Sequence, residues 1–147
     1  MTWKPHVTVA AIATLDNKFL MVEEKIEGKY VYNQPAGHLE PKESLLDAVI
    51  RETLEETSWV YKPEALIGIY RWCNPQNNIT FLRFAFQGLC LDFDENRTLD
   101  PDIHRCLWMT IEELEACSAS MRSPLVMQCV RDYLKGIRHP LDILTEF

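Results

Sequence analysis

Gly37-His-Leu-Glu-Pro-Lys-Glu43-Ser-Leu-Leu-Asp-Ala-Val-Ile-Arg51-Glu52-Thr-Leu-Glu55-Glu56-Thr-Ser-Trp59 is the segment from which the rest of the chain is read. With residues 44–57 helical at about 100° per residue, Glu52, Glu55 and Glu56 share one sector of the helix surface. Leu46, Ile50 and Leu54 recur at four-residue intervals away from it and predict a core-facing stripe that holds the acidic face in place. Like charges at this spacing repel, so stability alone does not account for them unless a cation lies between them. Hard oxygen ligands of this kind suit Mg2+ or Mn2+. The run Glu-Thr-Leu-Glu-Glu alone is ordinary on a solvated helix face. The whole array is not ordinary: a strand-like segment, then Gly37, Glu43, Arg51-Glu52 and Glu55-Glu56 leading along a helix.

The array resembles the Nudix box, G-x5-E-x7-R-E-U-x-E-E-x-G-U with U aliphatic. Gly37, Glu43, Arg51, Glu52, Glu55 and Glu56 stand at the matching positions of residues 37–59. Thr53, Ser58 and Trp59 depart from the pattern without removing a charge. A glycine at position 58 would end the helix in a left-handed conformation, and serine is expected to use another local geometry. Lys4-Pro-His-Val-Thr-Val-Ala, Asn33-Gln-Pro-Ala-Gly-His-Leu-Glu, Phe81-Leu-Arg-Phe and Arg122-Ser-Pro-Leu-Val extend the likeness, toward the NudJ phosphatase branch of the family.

The resemblance implies an α/β fold, a Nudix-type α/β/α sandwich with a mixed sheet. It implies Mg2+-dependent hydrolysis of nucleoside tri- and diphosphates and of thiamine-type pyrophosphates, with Mn2+ a possible substitute. It makes Glu52, Glu55 and Glu56 the metal ligands, with the Ala36 carbonyl beside them. Arg51 would orient the glutamates and Glu43 would pair with Arg51. Glu52, Asp100 and Asp102 are the candidates for the general base. Dinucleoside polyphosphates, ADP-sugars and capped RNA ends stay open as other substrates. A non-catalytic nucleotide sensor is a further alternative, and the intact glutamate set weighs against it.

A length of 147 residues with 47% hydrophobic content supports one sizeable core, so a single domain over 1–147 is expected. No run of about 18 apolar residues occurs and the start does not read as a signal peptide, so the expected place is the cytosol, away from membranes. The five cysteines, Cys73, Cys90, Cys106, Cys117 and Cys129, lack disulfide or zinc spacing and read as buried thiols. A net charge of −7 without a basic stripe argues against long nucleic acid and leaves a small phosphorylated partner, held through a metal. A monomer is expected rather than a homodimer.

Val7–Thr14 and Lys18–Lys25 read as a hairpin, Tyr30–Gln34 as a short strand, Leu66–Cys73 and Ile79–Leu91 as a second hairpin, and 92–102 as a loop. Arg105–Met109 reads as a short strand, Thr110-Ile-Glu-Glu113 as a capping box, and Ser123-Pro124 as the start of a last helix. Selection of a substrate must come from outside the box. Tyr32, Gln34, His38, Arg71 and Arg83 are the candidate contacts, and Tyr30, Trp72 and Phe81 are further aromatics able to stack on a ring. For each aromatic a place in the core is the competing reading. The segment 138–147 leaves three options open: covering the site, packing on the core, or meeting a partner.

Overall fold

The computed structural model describes residues 2–147. Strand β1 (His6–Leu15) runs through its centre, and Val9 to Ala13 are each no more than 1% exposed. Five consecutive buried residues, three of them alanine, mark a strand covered on both faces. Hairpin partner β2 (Lys18–Ile26) leaves β1 through Asp16 and Asn17, both at positive φ, the backbone of a tight two-residue hairpin turn. β3 (Lys29–Asn33) follows through Glu27-Gly28, again with both residues at positive φ. The short β4 (Ala36–His38) lies antiparallel along the first half of β1. Helix α1 (Leu45–Thr57) comes next, then β5 (Trp59–Cys73), β6 (Thr80–Phe93) and β7 (Ile103–Thr110). Helices α2 (Ile111–Ala116) and α3 (Pro124–Leu134) complete the regular elements.

The sheet is mixed. Its order is β3-β2-β1-β6-β5, with β7 on β2 and β4 on β1, and the β1–β6 pair is parallel. Side-chain alternation divides the core in two. Val9, Ala11, Ala13, Leu66 and Phe86 meet α1 on one face, while Ile12, Ile67 and Ala85 meet Val126, Met127 and Val130 of α3 on the other. This is the three-layer α/β arrangement expected. No described helix is long and apolar enough to cross a membrane.

Several expectations are corrected. β5 begins at Trp59, seven residues before Leu66, and carries Pro63 within it. That is tolerated because β5 is an edge strand whose one strand partner is β6, with Pro63 clear of the isolated bridge at Leu66, and register shifts at 59/61, 63/65 and 66/68 absorb the irregularity. Segment 36–38, beyond the short strand expected at Tyr30–Gln34, is a further strand paired with β1. The buried stripe of α1 is Ala48, Val49, Thr53 and Thr57 rather than Leu46, Ile50 and Leu54, which are only half-buried. Two threonines escape a hydrophobicity pattern, yet they suit the core because each hydroxyl donates back along the helix, to Val49 O at 2.7 Å and Thr53 O at 2.6 Å. All five cysteines are free, but of these expected buried thiols only Cys129 is buried; Cys90, Cys106 and Cys117 are half-buried and Cys73 is exposed.

The C-terminal segment packs on the core. His139 exchanges backbone hydrogen bonds with Leu66 at 2.8 and 2.9 Å, Leu141 and Leu144 join the α1-side cluster, and Glu146 Oε1 accepts from the Leu45 N–H at 2.7 Å. The first turn of α1 is thus capped by Ser44, whose Oγ accepts from Asp47 N, and by a residue one hundred positions further on.

Ser58 ends α1 in the left-handed conformation that glycine would take, φ 65° and ψ 9°, its N–H returning to Leu54 O. The chain must turn at once into β5, and the Ser58 carbonyl accepts from Asp94 N at 2.8 Å, so tertiary bonds hold a conformation that the Cβ opposes. Ser58→Gly should therefore raise stability by about 0.5–1 kcal/mol, a Tm increase of roughly 2–4 °C for a chain of this size. Thermal unfolding followed by circular dichroism checks it, and an unchanged or lower Tm would refute the strain.

Candidate active site

Arg51 is the most connected side chain of the segment. Its guanidinium grips Glu43 with two hydrogen bonds, Nε to Oε2 at 2.6 Å and Nη2 to Oε1 at 2.9 Å. Nη1 donates to Glu52 Oε1 at 2.7 Å and to Glu55 Oε2 at 3.2 Å, and Nη2 also reaches the His38 carbonyl at 3.0 Å. A forked planar cation suits this work, because it binds carboxylates in fixed directions. The Arg51 hydrogen bonds hold the Glu43 carboxyl below its ordinary range. One residue therefore ties the loop before α1 to strand β4 and to the acidic face of the helix.

Oxygens of Glu52, Glu55 and Asp100 come within 4.8 Å of one another. Asp100 belongs to the loop after β6 and is brought in by its own backbone, whose N–H donates to the Glu55 carbonyl at 3.1 Å. Three carboxylate oxygens at this separation match the hard donor set of a divalent cation such as Mg2+ or Mn2+. Glu56 is turned toward β4, where its Oε1 accepts from Ala36 N at 2.8 Å. It is only 8% exposed, and burial pushes its carboxyl up to about 9, the Ala36 N–H pulling the other way. Burial also raises Glu52, against the hydrogen bond from Arg51. Such groups need a proton or a cation to be comfortable where they stand.

Gly37 explains the glycine at the head of the segment. A Cβ there would lie 2.1 Å from Glu52 Cδ, so the carboxylate occupies the space a side chain would fill. Backbone and carboxylate thereby approach more closely than any other residue allows.

A cleft of about 520 Å³ opens beside these groups, lined by Glu52, Glu56, Asp100, Asp102, Ala36, Gly37 and His38 on one side. Arg83, Trp72, Phe81, Glu24 and Arg122 line it elsewhere. Trp72 and Phe81 stack with ring centroids 5.8 Å apart and planes 20° off parallel. His38 lines the cleft, and its Nε2 lies 3.0 Å from His6 Nδ1. Both candidate base residues of the loop, Asp100 and Asp102, reach the cleft.

Other candidates are placed differently. Arg71 is exposed outside the cleft, since Trp72 beside it on β5 takes the inward direction and alternation turns Arg71 away. Tyr32 packs against the α3-side core, and the neighbouring Glu23 carboxylate raises its hydroxyl. Tyr30 lies against His104, ring centroids 4.8 Å apart, away from the cleft. Gln34 is 1% exposed and stands behind Arg83. Sequence reasoning missed Glu24 and Arg122, whose Oε2 and Nε are 3.9 Å apart. Burial raises the Glu24 carboxyl and Arg122 opposes that. The only linear trace of Glu24 is a carboxylate pair interrupting the apolar run of β2.

The NUDIX domain family matches residues 4–128 of the chain. Phosphatase NudJ of Escherichia coli K12 is 42% identical over 145 residues, covering 99% of this chain and 94% of that protein, and the NudJ of Shigella flexneri gives the same figures. The solved structure of a NUDIX hydrolase from Nitrosomonas europaea is 51% identical, covers 98% of both chains and superposes with a TM-score of 0.95. A helix carrying the matched glutamates beside a glycine-bearing strand, on this sheet and with these relatives, makes the chain a member of the Nudix hydrolase family, a hydrolase acting on phosphoanhydrides and a homologue of the NudJ phosphatases.

Proposed function

We propose that this protein hydrolyses phosphoanhydride bonds of small nucleoside tri- and diphosphates and of thiamine-type pyrophosphates, with Mg2+ as its cofactor and Mn2+ able to replace it. The observation that carries the reading is the meeting of Glu52, Glu55 and Asp100 at the mouth of a cleft also lined by Glu56. The similarity to Phosphatase NudJ supports the substrate class. The net charge of −7 favours a small phosphorylated partner over long nucleic acid. The whole of 1–147 acts as one domain, and the working form is a cytosolic monomer.

Glu52, Glu55, Glu56 and the Ala36 carbonyl, joined by Asp100, would hold the cation. When bound, a divalent cation neutralises phosphate oxygens and makes phosphorus open to attack by water. Arg51 and Glu43 keep the carboxylates from swinging apart in the meantime. Of the three candidate bases, Glu52 and Asp100 belong to the cation cluster, while Asp102 lies in the cleft outside it and is the one assigned to take a proton from water. Arg83, His38, Trp72 and Phe81 line the cleft and would meet the substrate, while Gln34 supports Arg83 from behind.

Phosphate and pyrophosphate release from nucleoside di- and triphosphates and thiamine diphosphate, with Mg2+ and with chelator, tests the reading. Release should require the metal, and Glu56→Gln should lower kcat by roughly 100-fold with the fold retained. Metal-independent release, or full activity in the variant, would sink it. The same variant has a second readout. A Glu56 carboxyl raised to about 9 binds its proton more tightly folded than unfolded, so its stabilising share is complete below about 4.5 and is lost as pH rises toward 9. Metal-free Glu56→Gln should accordingly melt above wild type at pH 8 and show no advantage at pH 4, which differential scanning calorimetry would reveal.

Asp102→Asn should reduce kcat by about 100-fold or more while Mg2+ binding stays as in wild type. A normal rate in that variant returns the base to Glu52 or Asp100. Gly37→Ala should fold but displace the Glu52 carboxylate, weakening Mn2+ affinity roughly tenfold by titration calorimetry. Unchanged affinity would mean that Glu52 does not need the space beside Gly37.

A further inference from the structure

Arg83 is 5% exposed, yet it has no carboxylate partner among the described residues. Its Nη1 donates to Gln34 Oε1 at 2.8 Å and its Nη2 to Asn33 Oδ1 at 3.0 Å, both neutral acceptors. A third contact, Nη1 to Cys129 Sγ at 3.9 Å, is weak. Gln34 is itself locked, its Nε2 donating to Val126 O at 2.8 Å, and Asn33 is only 7% exposed. The amide oxygens are thereby directed at the guanidinium, which still has N–H groups to offer, since it carries five. Glu24 acts on Arg83 only at longer range, without an ion pair, and a buried cation whose direct partners are neutral dipoles is costly unless an anion completes it.

The sheet says where that anion would lie. Thr8 of β1 is in register with His38 of β4 on one side and with Arg83 of β6 on the other. Residues in register point to the same face, so His38, Thr8 and Arg83 form one row, and all three line the cleft. The Arg83 backbone therefore stands two strand spacings, about 10 Å, from the backbone of β4, on the opposite side of the row from the glutamates packed against β4. A ligand lying along this row with one anionic group on the carboxylate side has room for a second at Arg83.

We infer that Arg83 is a specificity-determining residue that holds the phosphate oxygens of the substrate remote from the Glu52–Glu55–Asp100 cluster, with Asn33 and Gln34 as its positioning residues. The inference rests on the hydrolase reading for the identity of the ligand. It assigns Gln34 to the support of Arg83 rather than to the substrate.

The test is calorimetric titration, with Mg2+ present, of a methylene-bridged, non-hydrolysable nucleoside diphosphate and of the parent nucleoside. The proteins are wild type, Arg83→Met and Arg83→Lys, each first checked by circular dichroism. Arg83→Met should weaken the diphosphate by about 10- to 100-fold, the range of a charge-assisted hydrogen-bonding group, and leave nucleoside binding unchanged. Arg83→Lys should recover only part of the loss, because the charge is kept while the forked donors that Asn33 and Gln34 hold are not. Equal losses for both ligands, or none for the diphosphate, would overturn the inference. Arg83→Gln, which keeps N–H donors for Asn33 and Gln34, answers the same question should the methionine variant not fold. The probe is not cleaved, so an inactive wild type would remove the hydrolase reading and leave the Arg83 result standing. A fully active wild type whose Arg83→Met variant binds the diphosphate normally would remove only the role of Arg83.

Discussion

The guanidinium of Arg51 reaches four carboxylates and a backbone carbonyl: Glu40 and Glu43 in the loop before α1, Glu52 and Glu55 on the helix, and His38 O on β4. Loop, helix and strand would each have its own freedom without it. An exposed ion pair of this kind would contribute little, but Arg51 is largely enclosed and its contacts are short and forked, so it works as a geometric constraint more than as a source of stability. Glu43 absorbs part of its charge. The remainder partly offsets the repulsion between Glu52 and Glu55, which would otherwise drive those side chains apart.

What the constraint supports is an arrangement at odds with easy folding. Glu56 is nearly buried with one backbone N–H as its partner, and the Glu52 carboxyl occupies the space that any side chain at position 37 would need. Proteins carry such unfavourable placements where function asks for them and stabilise them elsewhere. Here the support comes from a sheet covered on both faces, a central strand with no exposed residue between Val9 and Ala13, and a C-terminal segment that returns to cap α1 through Glu146. The cap matters for the site because the first turn of the helix bears on how the later turns present Glu52 and Glu55.

The cleft is divided by charge. Carboxylates gather where α1 meets β4, and arginines stand on β6 and just before α3, with Glu24 beside Arg122. A cation on the acidic side and Arg83 on the other give an anionic ligand two attachments in an otherwise acidic protein, so local electrostatics overrides the net charge of −7.

The linear order of residues carried the box, because Gly37, Glu43, Arg51, Glu52, Glu55 and Glu56 act through helix and turn geometry that repeats over a few residues. It carried the hairpins, the capping box at Thr110 and Glu113, and the start of α3 at Ser123-Pro124 for the same reason: each is a short-range preference of the backbone. Tertiary structure alone decided which face of α1 is buried, since back-bonded Thr53 and Thr57 pass for surface residues in a hydrophobicity pattern. It alone turned Arg71 outward and Arg83 inward, brought Asp100 to Glu55, and placed Glu24 and Arg122 in the cleft. Strand register and loop closure join residues tens of positions apart, and no local preference of the chain encodes those meetings; only the packing of the sheet between its helices does.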